Sequence, residues 1–252
     1  MTREQKLAEW KREEAEAAMK GWDFSHIKGR AVENELPWSY KQKVHDFLKP
    51  ENMMLDMGTG GGEVLLSLGH PFKNTCVTEA WEPNVRLCEE KLAPLGITVR
   101  QLWDDKPLPY DDEQFDIVLN RQEYYNLDEV RRVLKPGGYF ITQQVGSANG
   151  TALREFLCGK QNNDLSFNLE NELPRFVKAG FSINYKNQCY LQDRFLDVGV
   201  VVWRAKVLPW EYPDFSVDKC AEKLFKLDEL CEKAGYIPHI QHRFIIIARK
   251  KR

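Results

Sequence analysis

A chain of 252 residues, 42% hydrophobic and 29% charged, has an ordinary globular composition and is long enough for one α/β domain with additions or for two small domains. A formal net charge of −2 and a pI near 6.3 argue against a dedicated nucleic-acid binder and lean toward a small or neutral substrate. No apolar run approaches the length of a membrane span, the charged N-terminus MTREQKLAEWKREEAEAAMK lacks a signal-peptide core, and six scattered cysteines without a CxxC pair read as reduced thiols, so a cytoplasmic protein without a disulfide frame is expected.

Residues 3–20 carry a loose apolar stripe of Leu7, Trp10, Ala15, Ala18 and Met19, which predicts a helix. Residues 21–40 have no clean period but are rich in aromatics, Gly and Pro, and read as an ordered, packed loop. A short helix over 40–48 ends before Pro50. From residue 53 short apolar runs alternate with amphipathic ones: strands at 53–57, 75–79, 97–102, 115–120 and 137–145, and helices at 62–70, 84–96 and 127–134. This alternation predicts right-handed βαβ units, a doubly wound α/β fold and a mostly parallel sheet covered on both faces.

After residue 150 the pattern is less regular. TALREFL and NLENELPRFVKAGF read as helices, 182–191 as a strand, 216–236 as a helix with an N-cap serine and a C-terminal glycine, and 242–250 as a closing strand. The stretch 197–209 is ambiguous, since its valines favour a strand while a buried helix fits equally. Two late strands after five βα units predict seven strands finished by an antiparallel pair. The expected organisation is an N-terminal helical cap over 1–48 and a main domain over 49–252, with 150–240 as an elaboration.

The stretch LDMGTGGGEVLLSL places four glycines in five positions between a strand and a helix. Such a turn admits a ligand to the backbone and offers unpaired N–H groups at a helix N-terminus. Glu79 ends the second strand, 21 residues after Gly58, where an acid commonly holds ribose hydroxyls. The alternative is a plain tight turn with Glu79 as a helix cap.

LDMGTGGGE, VTEAWEPNV, WDDKPLPYDDEQFDIVLN and VLKPGGYFITQQVG follow in order over about residues 50–146, and together they resemble the class I S-adenosylmethionine-dependent methyltransferases, type 11-like group. The loop also reads G-x-G-x-G through Gly58, Gly60 and Gly62, where the dinucleotide fingerprint is G-x-G-x-x-G. The resemblance implies a seven-stranded Rossmann-like methyltransferase fold and S-adenosylmethionine as cofactor, with S-adenosylhomocysteine as product. It further implies that Asp56 holds the methionine amino group and that Gly58, Thr59 and Gly60 present backbone to methionine and ribose. Glu79 would accept both ribose hydroxyls, Ala80 and Trp81 would lie against the adenine, Asp104 would accept from the adenine amino group, Asp105 would offer its N–H, and Asn120 would lie near the transferred methyl.

Methyl transfer is an in-line displacement that alignment alone can accelerate greatly, so no strong base is required. The stretch NRQEYYN follows the fourth strand, where groups face the methyl in this family. Glu123 and Tyr124 are the candidate catalytic groups, Tyr124 and Tyr125 are expected to pack on the acceptor, and Arg121 is a partner for a substrate anion or phosphate. No acceptor-defining motif is present. Trp22, Trp38, Tyr40, Trp210 and Tyr212 either build an apolar lid and acceptor pocket or glue the N-terminal helix to the sheet. His26, His45, His70, His239 and His242 have no metal-ligand spacing, so no metal is expected. The expected activity is methyl transfer to a small-molecule acceptor. The alternatives are an RNA or protein methyltransferase, for which the terminal ARKKR would offer phosphate contacts, and a non-catalytic cofactor-binding module.

Overall fold

The structure is a computed structural model describing residues 1–19, 22–103, 107–160 and 164–252. Its strands are β1 (Ala31–Val32), β2 (Met54–Met57), β3 (Thr75–Glu79), β4 (Thr98–Gln101), β5 (Phe115–Arg121), β6 (Leu134–Val145), β7 (Phe181–Phe195) and β8 (Ile237–Lys250). Its helices are α1 (Arg3–Glu16), α2 (Tyr40–His45), α3 (Glu63–Ser67), α4 (Glu82–Lys91), α5 (Leu127–Val133), α6 (Thr151–Cys158), α7 (Leu169–Lys178), α8 (Val198–Val207) and α9 (Val217–Ala234). The sheet order is β1-β7-β8-β6-β5-β2-β3-β4. Pairs β2–β3, β3–β4, β2–β5 and β5–β6 are parallel, and β6–β8 is antiparallel, as the alternating pattern requires. Eight strands stand where seven were expected, because β1 has only two residues and leaves no periodic trace in the aromatic loop.

Contacts divide the chain into two compact units. The first comprises Met1–Glu35, Ser147–Leu165 and Tyr190–His242; the second comprises Leu36–Gly146, Ser166–Cys189 and Arg243–Arg252. Residues 36–48 therefore go with the sheet, not with α1, which differs from the expected boundary at residue 48. The reason is local: Val44 is fully buried in the sheet core, and Trp38 donates from Nε1 to Gln143 Oε1 at 2.8 Å. Among the described residues no helix is long and apolar enough to cross a membrane.

In the second unit the parallel strands bury both faces, so they read as unbroken apolar runs. Leu55, Met57, Val118, Phe140 and Phe244 pack on one side, and Met54, Val77, Ile117, Leu119, Ile141 and Ile247 on the other. Tyr125 belongs to the first set. It is buried, and its hydroxyl donates to the buried Glu172 Oε2 at 2.7 Å, while Arg175 binds the other oxygen at 2.5 Å. The expectation that Tyr125 packs on a substrate is thereby corrected; the residue is core. A hydrogen bond to a buried charge contributes about 1.5–3 kcal/mol, so Tyr125→Phe should lower the urea-unfolding free energy by roughly 2 kcal/mol.

In the first unit α1, α6, α8 and α9 enclose Trp10, Leu157, Trp203, Leu224 and Tyr212. The ambiguous stretch is the helix α8, buried from Val198 to Ala205. A helix buried all round has no 3.6-residue signature to read. Asp197 fixes its start: Oδ1 accepts from Val200 N at 3.1 Å, and the carboxylate is gripped by the Arg30 fork at 2.7 and 2.9 Å.

Candidate functional site

The strand order reverses at β2, whose neighbours are β3 and β5, and the register aligns Met57 with Thr78 and with Asn120. Gly58, Glu79 and Asn120 thus come to one end of the sheet, the carboxyl edge where doubly wound folds hold ligands. The glycine loop leaves β2 tightly. Gly58 N and Thr59 N both donate to Thr78 O, at 2.9 and 3.3 Å, and Gly58, Gly60 and Gly62 take positive φ of 66°, 61° and 78°. A Cβ on Gly62 would lie 2.8 Å from Leu92 Cδ2, so close packing of α3 as well as conformation excludes a side chain there.

Glu79 is buried and reaches across to the loop. Its Oε2 accepts from Gly60 N at 2.8 Å, and its Oε1 from Ala80 N at 3.0 Å and Trp81 N at 3.2 Å. The carboxylate thus both braces the glycine turn and caps the approach to α4. The loop is held from below by Cys88, whose thiol donates to Gly60 O at 3.1 Å. Burial, with the Glu79 and Asp56 charges adding, pushes that thiol up to about 12, so it remains a donor.

Asp56 is buried on β2, and desolvation pushes its carboxyl up to about 6. Thr59 and Arg121 act against the shift, and Glu79 adds to it. Two buried hydroxyls nearby, Tyr40 OH and Thr59 Oγ1, lack a hydrogen-bond partner of good geometry. Burial raises the Tyr40 phenol above its ordinary range, with the Asp56 charge adding and Arg121 opposing. Asp56 also lies in no ion pair among the described residues.

Asn120 is fully buried at the end of β5. Its Oδ1 accepts from Thr142 Oγ1 at 3.0 Å and Gln144 Nε2 at 2.5 Å. Gln144 Nε2 also reaches Glu123 O at 3.1 Å, which ties β6 to the loop after β5. There Gln122 takes a left-handed backbone, φ 63°, and turns Glu123 over the glycine loop. A Cβ on Gly58 would meet Glu123 Cγ at 2.5 Å, and Glu123 Oε1 accepts from Tyr124 N at 2.8 Å. Arg121 and Tyr124 are exposed beside it, as is Trp81, with 52% of its surface open.

The structure therefore gathers Asp56, Gly58, Thr59, Gly60, Gly62, Glu79, Ala80, Trp81, Asn120, Arg121 and Glu123 at one sheet edge. Asp104 and Asp105 lie outside the described residues. The aromatic set divides. Trp38 and Tyr40 pack within the second unit, whereas Trp22 and Trp210 belong to the first, exposed and edge-on with ring centroids 6.1 Å apart. Tyr212 is buried in the core of the first unit, and His242 is buried, with its ring 4.4 Å from Tyr190. Sequence reasoning missed Cys88, Thr142 and Gln144, because one polar residue in an apolar helix or strand carries no periodic mark. Among the described residues no group of three or more His, Cys, Asp or Glu is arranged to hold a metal.

A doubly wound sheet with a glycine loop, an acid ending the next strand and an antiparallel final strand defines the Rossmann-like methyltransferase fold. A solved structure from Bacillus halodurans, provisionally described as a methyltransferase, shares that fold at a TM-score of 0.58 and 17% identity, covering 84% of this chain and 99% of its own. Residues 55–142 match the family model described as "Methyltransferase domain", and this segment is similar to the class I S-adenosylmethionine-dependent methyltransferases. A phthiotriol/phenolphthiotriol dimycocerosates methyltransferase of Mycobacterium tuberculosis is 35% identical over 88 residues, 32% of each chain. A sterol 4-C-methyltransferase of Caenorhabditis elegans is 36% identical over 107 residues, 38% of this chain and 31% of its own. The chain thus spans about a third of the length of these curated relatives.

Proposed function

We propose that this protein binds S-adenosylmethionine at the carboxyl edge of β2, β3 and β5 and directs its methyl group to a small-molecule acceptor. The observation that carries the reading is Asp56, a buried carboxylate without an ion-pair partner among the described residues, beside the buried hydroxyls of Tyr40 and Thr59. Such a set is complemented by an α-ammonium group, which would return the carboxyl toward its ordinary range. Glu79 and the Gly60 N–H suit a ribose, and the exposed face of Trp81 suits an adenine.

When bound, the sulfonium supplies an electrophilic methyl and a neutral leaving group. The chain's own part is alignment. Asn120, locked by Thr142 and Gln144, forms a rigid wall, and Glu123 orients the acceptor or takes its proton. Tyr124 and Arg121 flank it, Arg121 as a partner for an anionic group of the acceptor. The small-molecule class is supported by the relatives, whose names give a sterol and phthiotriol dimycocerosates as what they methylate.

Calorimetric titration should show saturable binding of S-adenosylmethionine and S-adenosylhomocysteine and none of NAD; binding of NAD alone would overturn the reading. Release of S-adenosylhomocysteine with fractions of a metabolite extract then locates the acceptor, and release only with RNA or protein would move the acceptor class.

The raised Asp56 carboxyl gives a signed test. Below pH 6 the carboxyl is protonated and loses the ammonium, so affinity for S-adenosylmethionine should fall by up to about tenfold per pH unit. Stability of the free protein runs the other way. The folded value lies above the unfolded one, so this group's favourable contribution is complete below about pH 4 and is lost as pH rises through about 6. Asp56→Asn should flatten both slopes.

A further inference from the structure

The first unit holds a separate concentration of buried polar groups, built from its own residues alone. Gly150 precedes α6 with φ 62°, and a Cβ there would lie 3.0 Å from His239 Nε2 and 3.7 Å from the Tyr212 hydroxyl. The imidazole and the phenol therefore converge on one bare stretch of backbone. His239 stacks on Phe195, with centroids 4.8 Å apart, and the Arg204 guanidinium lies 5.5 Å from the same Phe195 ring. Asp193 Oδ2 stands 3.8 Å from His239 Nδ1, too far for a hydrogen bond. That carboxylate is already engaged, by Gln241 Nε2 at 3.1 Å and by Asn34 N at 2.9 Å.

What is left over is unusual for a protein interior. Both ring nitrogens of His239, the Tyr212 hydroxyl, Gln241 Oε1, Trp203 Nε1 and the Nε atoms of Arg154 and Arg204 are all buried with no hydrogen-bond partner. His239, Tyr212, Gln241 and Arg204 are each more than nine-tenths buried. Native structures leave few such groups unsatisfied, and each one costs about 1–3 kcal/mol, so seven atoms in one unit call for an occupant.

The inventory indicates its chemistry. The two guanidinium Nε–H groups can only donate, the phenol donates readily, and burial holds the imidazole below its usual range, so that it is neutral with one donor and one acceptor. Against these donors stands one free carbonyl oxygen, that of Gln241. An acceptor-rich, negatively charged group matches the donors, and a hydroxyl or amine on the same molecule matches Gln241.

We propose that the first unit binds a small molecule bearing an oxyanion, carboxylate or phosphate, through Arg154, Arg204, Tyr212 and His239, with Gln241 accepting from a neighbouring hydroxyl or amine. The test uses the full chain without cofactor, titrated calorimetrically with sodium benzoate, inorganic phosphate and, as a neutral isostere, benzamide. One of the two oxyanions should bind saturably at millimolar concentration and benzamide should not; which oxyanion binds separates the carboxylate source from the phosphate source. Tyr212→Phe removes one atom from a well-packed ring and should fold at least as stably as the parent, with that affinity reduced about tenfold. Arg204→Gln should abolish binding, with circular dichroism confirming the fold. Absence of binding by both oxyanions, equal binding of benzamide, or an affinity unchanged in Tyr212→Phe would each overturn the proposal.

Discussion

Glu79→Ala is expected to weaken S-adenosylmethionine binding by about a hundredfold, because two hydrogen bonds to an ionised acceptor contribute about 1.5 kcal/mol or more each. The carboxylate is buried at the end of β3, with Oε2 on the Gly60 N–H. The same substitution orphans three backbone donors, those of Gly60, Ala80 and Trp81, so unfolding stability should drop as well. The two roles separate through Glu79→Gln, which keeps shape and length but turns a donor toward the loop and halves the acceptor capacity. Affinity should fall in both variants. If calorimetry finds it unchanged while the melting temperature drops, Glu79 is a brace for the turn and nothing more.

Gly62→Ala should be the most damaging single methyl in the loop. The backbone there is left-handed, which costs a non-glycine residue about 1–2 kcal/mol, and the added carbon would press into Leu92, a fully buried side chain that cannot step aside. Overpacking adds about 1–3 kcal/mol, so a loss of roughly 3 kcal/mol is expected in urea unfolding. Gly69 is the control. Its φ is 66°, but nothing lies within 4 Å of its would-be Cβ, so Gly69→Ala should cost only the conformational part, about 1 kcal/mol. Equal losses in the two variants would show that packing against Leu92 contributes nothing.

The legible parts of this molecule were those in which a chemical need repeats along the chain. The strands of the parallel sheet were readable because burial on both faces forces unbroken apolar runs, and the glycine loop and Glu79 because their spacing is set by one βαβ unit. The two residues of β1 are too few to leave a pattern, and α8 is buried from Val198 to Ala205, so the valines that suggested a strand are in fact a helix started by Asp197. Tyr124 and Tyr125 are neighbours in sequence, yet one is exposed and the other is locked onto Glu172; nothing short of the fold distinguishes them. Cys88, Thr142 and Gln144 were unreadable for a related reason. Each is a lone polar side chain whose partner comes from a distant stretch of chain: Gly60 for Cys88, and Asn120 for the other two.

The first unit is composed of three stretches, the earliest including α1 and the latest including α9. Within it Lys6 pairs with Asp228 and Glu232, and Arg3 with Glu222, so α1 finds these neighbours only after the whole sheet region between has been translated. During ribosomal synthesis the parallel strands of the other unit emerge and can zip together while Trp10 still waits, bare, for the helices that will cover it. No single cut in the gene can release the first unit as an autonomous piece, and the nascent polypeptide carries an uncovered apolar surface, a natural target for a holdase, until Val217–Ala234 has left the exit tunnel.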